Sequence, residues 1–484
     1  MQGRMELQKS LRPLHVASLA LGCIIGFGCF VLAGDFLQRS GPIGATIGLL
    51  IGALFMLLIA ESYAPLIERF PVAGAEFAHA YYAGGRHHAF VCGWFLTLGY
   101  LCIIPLNATA LALLGKFLAP ELFARGYLYT VAGFDVFVGE VMLASAAILL
   151  VGYFNYRSVR SVGNLQLVLT TVLVGSVLLI TAGSFLTPSA SLENLKPAFS
   201  PDRGPVRGIL AMVAIAPWLY VGFDTLPQAA EEVAFSHRKT FRLMVVAILV
   251  GTAMYVAVLL ATAAVAPWRE LVAEGSPWLT GATVQRSLGT TGLAVLGVSV
   301  AAAIFTGING FYLATSRLMF SMARAKLLPG FFARLHPEHG TPYLAITFVA
   351  AASLLAPWFG RQALLWVVDM SALGTAFGFA YTCVAAYLLI GENRRWARSR
   401  WSRSLAAAGA VVSVGFIVLL TVPGMPGFMA TPSWIALAAW ISLGAWFFVR
   451  RGAEYRSIPA RELDHLILKE PRPKEASARG EPPR

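Results

Sequence analysis

The sequence predicts an all-α integral membrane protein of twelve transmembrane helices, and three observations carry that prediction. Of its 484 residues 57% are hydrophobic and 13% charged, about half the ~25% charged share of an ordinary soluble domain. The apolar residues gather into runs that match the ~20 residues needed to cross a bilayer core of about 30 Å. Two of the runs are interrupted near their middles by glycine, proline or an acidic residue.

Taken in order, the predicted spans fall at 13–37, 42–66, 88–118, 136–155, 162–187, 207–234, 243–267, 291–324, 342–359, 362–391, 404–423 and 432–450. A short basic tail, 1–12, precedes them, and a segment rich in Pro, Arg, Glu and Ser, 451–484, follows. That last segment holds too little apolar surface to fold alone and reads as disordered. Twelve spans put both termini on one side of the membrane. Of the 37 Lys and Arg, 28 lie on that terminal side, so the positive-inside rule makes it cytoplasmic. The formal charge of +13 is therefore an orientation signal with affinity for anionic lipid, and no motif points to nucleic acid. Cys23, Cys29, Cys92, Cys102 and Cys383 all fall within spans without a C-x-x-C pair, and read as small buried hydrophobes. The first span is too long for a signal-peptide core and has no small-residue cleavage site after it, so it is expected to stay as a helix.

The first span carries Gly26-Phe27-Gly28 at its centre. Each interior glycine costs ~1 kcal/mol relative to alanine, so this is where a helix unwinds. The sixth carries Pro217, Gly222, Asp224 and Pro227. Unwound backbone at membrane depth persists only where protein or a water-filled cavity satisfies it, and a pair of interrupted helices half a chain apart points to a midplane binding site in an inverted-repeat secondary transporter. Asp224 stands out, because a carboxylate at that depth is costly and faces a cavity or a partner; it is the candidate for proton coupling. The alternative role for Asp224 is to bond the freed backbone of the break.

Five blocks extend this reading. G-x-x-I-G-x-G spans Gly22 to Gly28, and E-x-x-x-x-x-I-x-R-F-P-V-A-G-x-E-F spans Glu61 to Phe77. G-W-x-x-x-L-x-Y covers Gly93 to Tyr100, G-F-D-x-x-x-x-A-A-E-E-V covers Gly222 to Val233, and S-R-L-M-F-S-M-A-R-A-K-L-L-P covers Ser316 to Pro329. In this order they resemble the amino acid–polyamine–organocation (APC) superfamily of permeases. The resemblance implies two inverted five-helix repeats, 13–187 and 207–391, with broken helices 1 and 6, and two peripheral helices within 404–450. It also implies a small-molecule amino acid or amine held at the breaks: Ile25, Gly26, Phe27 and Gly28 match the first, and Trp218, Tyr220, Gly222 and Asp224 the second. Trp218 aligns with an aromatic gate. Phe27 departs from the small residue usual at its position, and either shrinks the pocket or turns away from it.

Other candidates follow from their positions. Tyr100 either lines the pocket or packs. Glu231 and Glu232 read as a solvated helix end or as acids that latch an inner gate. Thr306 and Asn309 offer oxygens where related folds hold sodium, and the fifth span has no lysine, leaving Asn164 or a neighbour at the position some proton-coupled relatives fill with one. Asp369 reads as structural, with Arg361 as candidate counter-charge, and the 268–286 loop as an outer lid.

The function expected is secondary active transport of an amino acid or related amine across the inner (plasma) membrane, coupled to protons or to a counter-substrate, without cofactor or metal. A transport-incompetent nutrient sensor and a carrier of ethanolamine- or polyamine-type amines are the alternatives. An intramembrane enzyme is disfavoured, since neither H-E-x-x-H nor G-x-S-x-G occurs.

Overall fold

The structure, a computed structural model, describes residues 7, 11–131, 133–157, 159–276, 278–360 and 362–470. Arg361 and residues 471–484 lie outside the described residues.

The first predicted span is a chain of three helices, α1 (Pro13–Ile24), α2 (Gly28–Val31) and α3 (Ala33–Ser40). After Gly41 the chain turns into α4 (Pro42–Arg69), then α5 (Ala75–Leu118), which bends at Gly85, where φ is 76°. A short helix α6 (Pro120–Phe123) leads to a hairpin of strand β1 (Tyr127–Val131) against strand β2 (Phe134–Phe137), followed by α7 (Val138–Arg157) and α8 (Val159–Leu186). The sixth predicted span is broken into α9 (Gly204–Ala214), α10 (Ala216–Leu219) and α11 (Thr225–Gln228). The chain continues through α12 (His237–Ala264), α13 (Trp268–Ala273) and α14 (Leu279–Arg324), the last bent at Gly289. It ends with α15 (Tyr343–Ser353), α16 (Gln362–Glu392), α17 (Ser402–Thr421), α18 (Thr431–Ser457) and α19 (Ala460–Leu463).

Ten helices among the described residues are long and apolar enough to cross a membrane, and two shorter apolar helices, Gly204–Ala214 and Tyr343–Phe359, fall where the sixth and ninth spans were expected. The burial of these helices sorts them. The window within α5 is 89% buried and that within α18 only 17%, so α5 runs through the centre and α18 lies at the periphery. α5 packs against α16 and α14, and α1 packs against α8, α12 and α14.

Two features depart from the sequence reading. The hairpin between α5 and α7 was not foreseen, because its strands are short and largely exposed and carry no long alternating pattern. The segment after 450, expected to be disordered, is helical and docked as far as residue 470. Tyr455, Leu463, Ile467 and Leu468 are buried, the Tyr81 hydroxyl donates to Asp464 Oδ1 at 2.9 Å, Arg86 Nη1 donates to the Tyr455 carbonyl at 3.0 Å, and Arg69 pairs with Glu470. Composition understated this segment: a few apolar residues suffice when a neighbouring surface is already folded to receive them.

Candidate functional site

The backbone ladder of the first span stops at Ile25 N–H to Leu21 O and resumes at Cys29 N–H to Gly26 O, leaving the amides of Gly26, Phe27 and Gly28 in the interval. Carbonyls freed at the end of α1 are taken up by neighbours, as burial demands: Thr306 Oγ1 donates to the Gly22 carbonyl at 3.0 Å, and the Tyr255 hydroxyl to the Ile24 carbonyl at 3.3 Å. Further back in α1, Gln166 Nε2 and Thr170 Oγ1 donate to the Ser18 carbonyl at 3.2 and 3.1 Å.

The second interruption crosses the first. Gly222 has φ of 132°, and a Cβ there would lie 2.6 Å from Cys23 Cβ and 2.9 Å from the Ile24 nitrogen. Both its backbone conformation and its contact with α1 therefore require glycine. Asp224 Oδ1 accepts the Gly222 N–H at 2.8 Å, and its Oδ2 accepts the Tyr100 hydroxyl at 2.8 Å. The carboxylate thus bonds the freed backbone, as one reading of the sequence had it, and it also reaches α5. Tyr100 neither faces lipid nor simply packs; it is fully buried and holds Asp224.

Around the first break, Trp218 covers Gly28, whose Cβ would stand 2.7 Å from the indole, and its ring centroid is 6.1 Å from that of Phe27. Phe27 is 2% exposed, so its ring fills space beside Trp218 rather than turning out. Ile25, Gly26, Phe27, Gly28, Trp218, Gly222, Tyr100 and Asp224 come together here. Tyr220 does not join them through its polar group, since its hydroxyl donates to the Leu49 carbonyl on α4 at 2.8 Å.

Sequence reasoning missed several members. Asn107 is buried, and its Oδ1 has no partner; a Cβ on Gly26 would lie 3.8 Å from that oxygen. Glu76 is fully buried and accepts the Tyr63 hydroxyl at 2.7 Å and the Gln228 amide, with Tyr100 Oη at 3.5 Å. The acid sits in one of the five blocks, but its position just after a turn gives no local sign of its burial. Gln228, one helical turn beyond Asp224, carried a faint signal; Tyr63 carried none.

Asn164 is exposed, whereas Gln166 is buried and accepts Asn309 Nδ2 at 2.8 Å, while Asn155 Nδ2 donates to Asn309 Oδ1 at 2.8 Å. Thr306 thus gives its hydroxyl hydrogen to backbone carbonyls, and Asn309 is bonded through both its amide oxygen and its amide nitrogen.

Glu231 and Glu232 are buried rather than solvated. Glu231 pairs with Arg324 at 2.9 Å and accepts the Ala73 N–H at 3.2 Å, and Glu232 pairs with Arg317 at 2.6 Å. The arginines that pair with them come from α14. Asp369 accepts Ala430 N–H and the Ser433 hydroxyl at 3.2 and 3.0 Å, joining α16 to α18. His336, Glu338 and His339 cluster before α15, but the two imidazoles stack at 4.4 Å and 11°, so their in-plane lone pairs run parallel instead of converging on an ion.

These features define a class: a multi-pass membrane protein whose buried polar groups gather where two interrupted helices cross. Residues 11–446 match the family described as Amino acid permease, and the chain belongs to that family, as the resemblance in its five blocks implied. Among its relatives are the branched-chain amino acid permease BcaP of Bacillus subtilis (strain 168), 27% identical over 80% of this chain and 82% of the relative. The methylthioribose transporter of the same organism is 27% identical over 79% and 82%. The human large neutral amino acids transporter small subunit 2 is 26% identical over 73% of this chain and 65% of its own.

Proposed function

We propose that the protein is a secondary active transporter of an amino acid or closely related amine, with twelve spans in two inverted five-helix repeats, both termini cytoplasmic, in the inner membrane. The substrate sits at the two breaks, between Ile25–Gly28 and Trp218–Asp224. The observation that carries this reading is the pairing of opposite groups there. The interval amides of Gly26, Phe27 and Gly28 suit a carboxylate, because a helix N-terminus carries partial positive charge. The partnerless Asn107 Oδ1 suits an ammonium, since an orphaned buried acceptor costs ~1–3 kcal/mol until something donates to it. Trp218 and Phe27 wall the site with apolar surface, which favours a neutral side chain.

Asp224 is the proton-coupling group. Its two bonds, to Gly222 and Tyr100, make it sensitive to any change in the breaks.

The test uses purified protein in proteoliposomes. Radiolabelled L-leucine should accumulate under an inward proton gradient and equilibrate when a protonophore removes it, and Asp224→Asn should lose the accumulation. If the Asn variant accumulates L-leucine with the parent's pH profile, Asp224 is a structural partner of the break. If no amino acid or amine moves in the parent while one raises its thermal stability, the sensor reading replaces this one.

A further inference from the structure

We propose that Glu76 and Asp224 act as one titrating unit linked by Tyr100, and that Glu76 carries the proton that moves with substrate. This rests on the reading of the protein as a proton-coupled carrier and extends its proton-coupling group from Asp224 alone to the Asp224–Glu76 pair.

The geometry is specific about where hydrogens are. Tyr100 has one phenolic hydrogen and two carboxyl groups beside its oxygen, Asp224 Oδ2 at 2.8 Å and Glu76 Oε1 at 3.5 Å. One hydrogen serves one acceptor at a time, and the shorter contact takes it. With that hydrogen given to Asp224, the longer contact becomes a full hydrogen bond when Glu76 itself carries a proton and donates it to the phenol oxygen. With both carboxylates ionised it becomes a repulsive contact inside a fully buried site.

The surroundings give no relief for a second charge. Facing Glu76 are Tyr63 from α4, His79, Cys92 and Tyr100 from α5, Gln228 from α11, and the α16 backbone at Gly378, with Thr382 of α16 holding His79 Nδ1 at 3.1 Å. Facing Asp224 are Tyr100, Thr225, Gly222 and, from α1, Cys23. His79 is buried, with its other ring nitrogen unpartnered, the arrangement of a neutral imidazole. The buried Glu231 and Glu232, a few residues beyond Gln228, are paired with Arg324 and Arg317. A pair of carboxyls among neutral donors holds one negative charge far better than two.

Position then gives the proton a route. Glu76 opens α5 directly after the turn whose Ala73 N–H is held by Glu231 and whose Ala73 carbonyl is held by Ser321 at 2.8 Å. Tyr63, Glu76, Tyr100 and Gln228 therefore tie α4, α5 and the second interruption together beneath the substrate site. Parting these elements separates Glu76 from Tyr100 and admits water. The Glu76 O–H bond then breaks, its electron pair stays on the carboxylate, and the proton passes to water on the side of the Glu231 and Glu232 pairs.

Two readouts test this. In infrared difference spectra of purified protein across a pH titration, the carbonyl stretch of a buried protonated carboxyl should appear in the parent, vanish in Glu76→Gln and persist, shifted, in Glu76→Asp. In proteoliposomes containing a pH dye, proton entry should keep step with L-leucine in the parent, be lost in Glu76→Gln and be partly restored in Glu76→Asp. A band unchanged in Glu76→Gln, or proton entry in step with L-leucine in that variant, overturns the proposal. If the parent moves neither L-leucine nor any other amino acid or amine, the transport reading fails by itself, and the infrared band still decides the carboxyl pair. Should Glu76→Gln not fold, a shift of the band in Tyr100→Phe supports the link and an unshifted band refutes it.

Discussion

The Tyr100 hydroxyl of α5 donates to Asp224 Oδ2 at 2.8 Å, fastening the most buried helix to the point where the sixth span is broken. Residues 124 positions apart in the chain are held by one hydrogen bond. Tyr100→Phe keeps the ring and deletes the donor, leaving a buried carboxyl oxygen unpaired at a cost of ~1–3 kcal/mol. The apparent unfolding midpoint in detergent should fall and the pH profile of L-leucine uptake should move; a parental midpoint and profile would mean the bond contributes nothing.

The two glycines of the first break should respond differently. A Cβ on Gly26 meets nothing nearer than 3.8 Å, whereas one on Gly28 lies 2.7 Å from the Trp218 indole. Gly26→Ala should therefore retain ligand-induced thermal stabilisation, while Gly28→Ala displaces Trp218 and loses it. Equal behaviour of the two variants would refute the packing described for Trp218.

The pair of Arg317 and Glu232, each about 1% exposed, should be sensitive to losing one member. Arg317→Met leaves a buried carboxylate without its cation, a loss of ~3–5 kcal/mol, whereas joint replacement with Glu232→Leu removes the stranded charge and recovers most of it. Unfolding midpoints of the two variants and the parent measure this, and a double variant no more stable than Arg317→Met would contradict it.

Docking of the C-terminal segment should depend on pH through Asp464, which lies beyond the spans. Burial pushes its carboxyl above the ordinary range, the Tyr81 hydroxyl works against that, and Glu470 adds to it. An acid raised in the folded state stabilises that state fully below its unfolded value, and the contribution is lost as pH rises through the folded value. Protease protection of residues 455–470 should accordingly weaken from mild acid towards neutrality, and Asp464→Asn should flatten the dependence. Protection that rises with pH in the parent would reverse the sign and exclude this cause.

Much of the architecture was legible because it is written in local chemistry. Apolar run length placed the spans, and Gly26, Gly28, Gly222 and Pro217 marked the breaks because each acts on its own backbone. Asp224 announced itself, since a lone acid in an apolar run has no local explanation. The same local logic says little about the acids nearer the ends: Glu76, Glu231 and Glu232 stand beside turns where solvent is the default partner, and nothing within a few residues of them reveals a buried tyrosine or arginine.

The sequence by itself determined that the chain crosses a membrane, where two of its helices cannot stay continuous, and that a carboxylate lies at one of those places. Only the tertiary structure decided which groups meet there. It put Tyr100 between Asp224 and Glu76, Gln166 rather than Asn164 on the carbonyls of the first helix, Tyr220 against α4, and Arg317 and Arg324 on the two glutamates. The reason is physical: periodicity and residue type set the face a side chain presents, but its partner comes from another helix, chosen by the packing of the whole bundle.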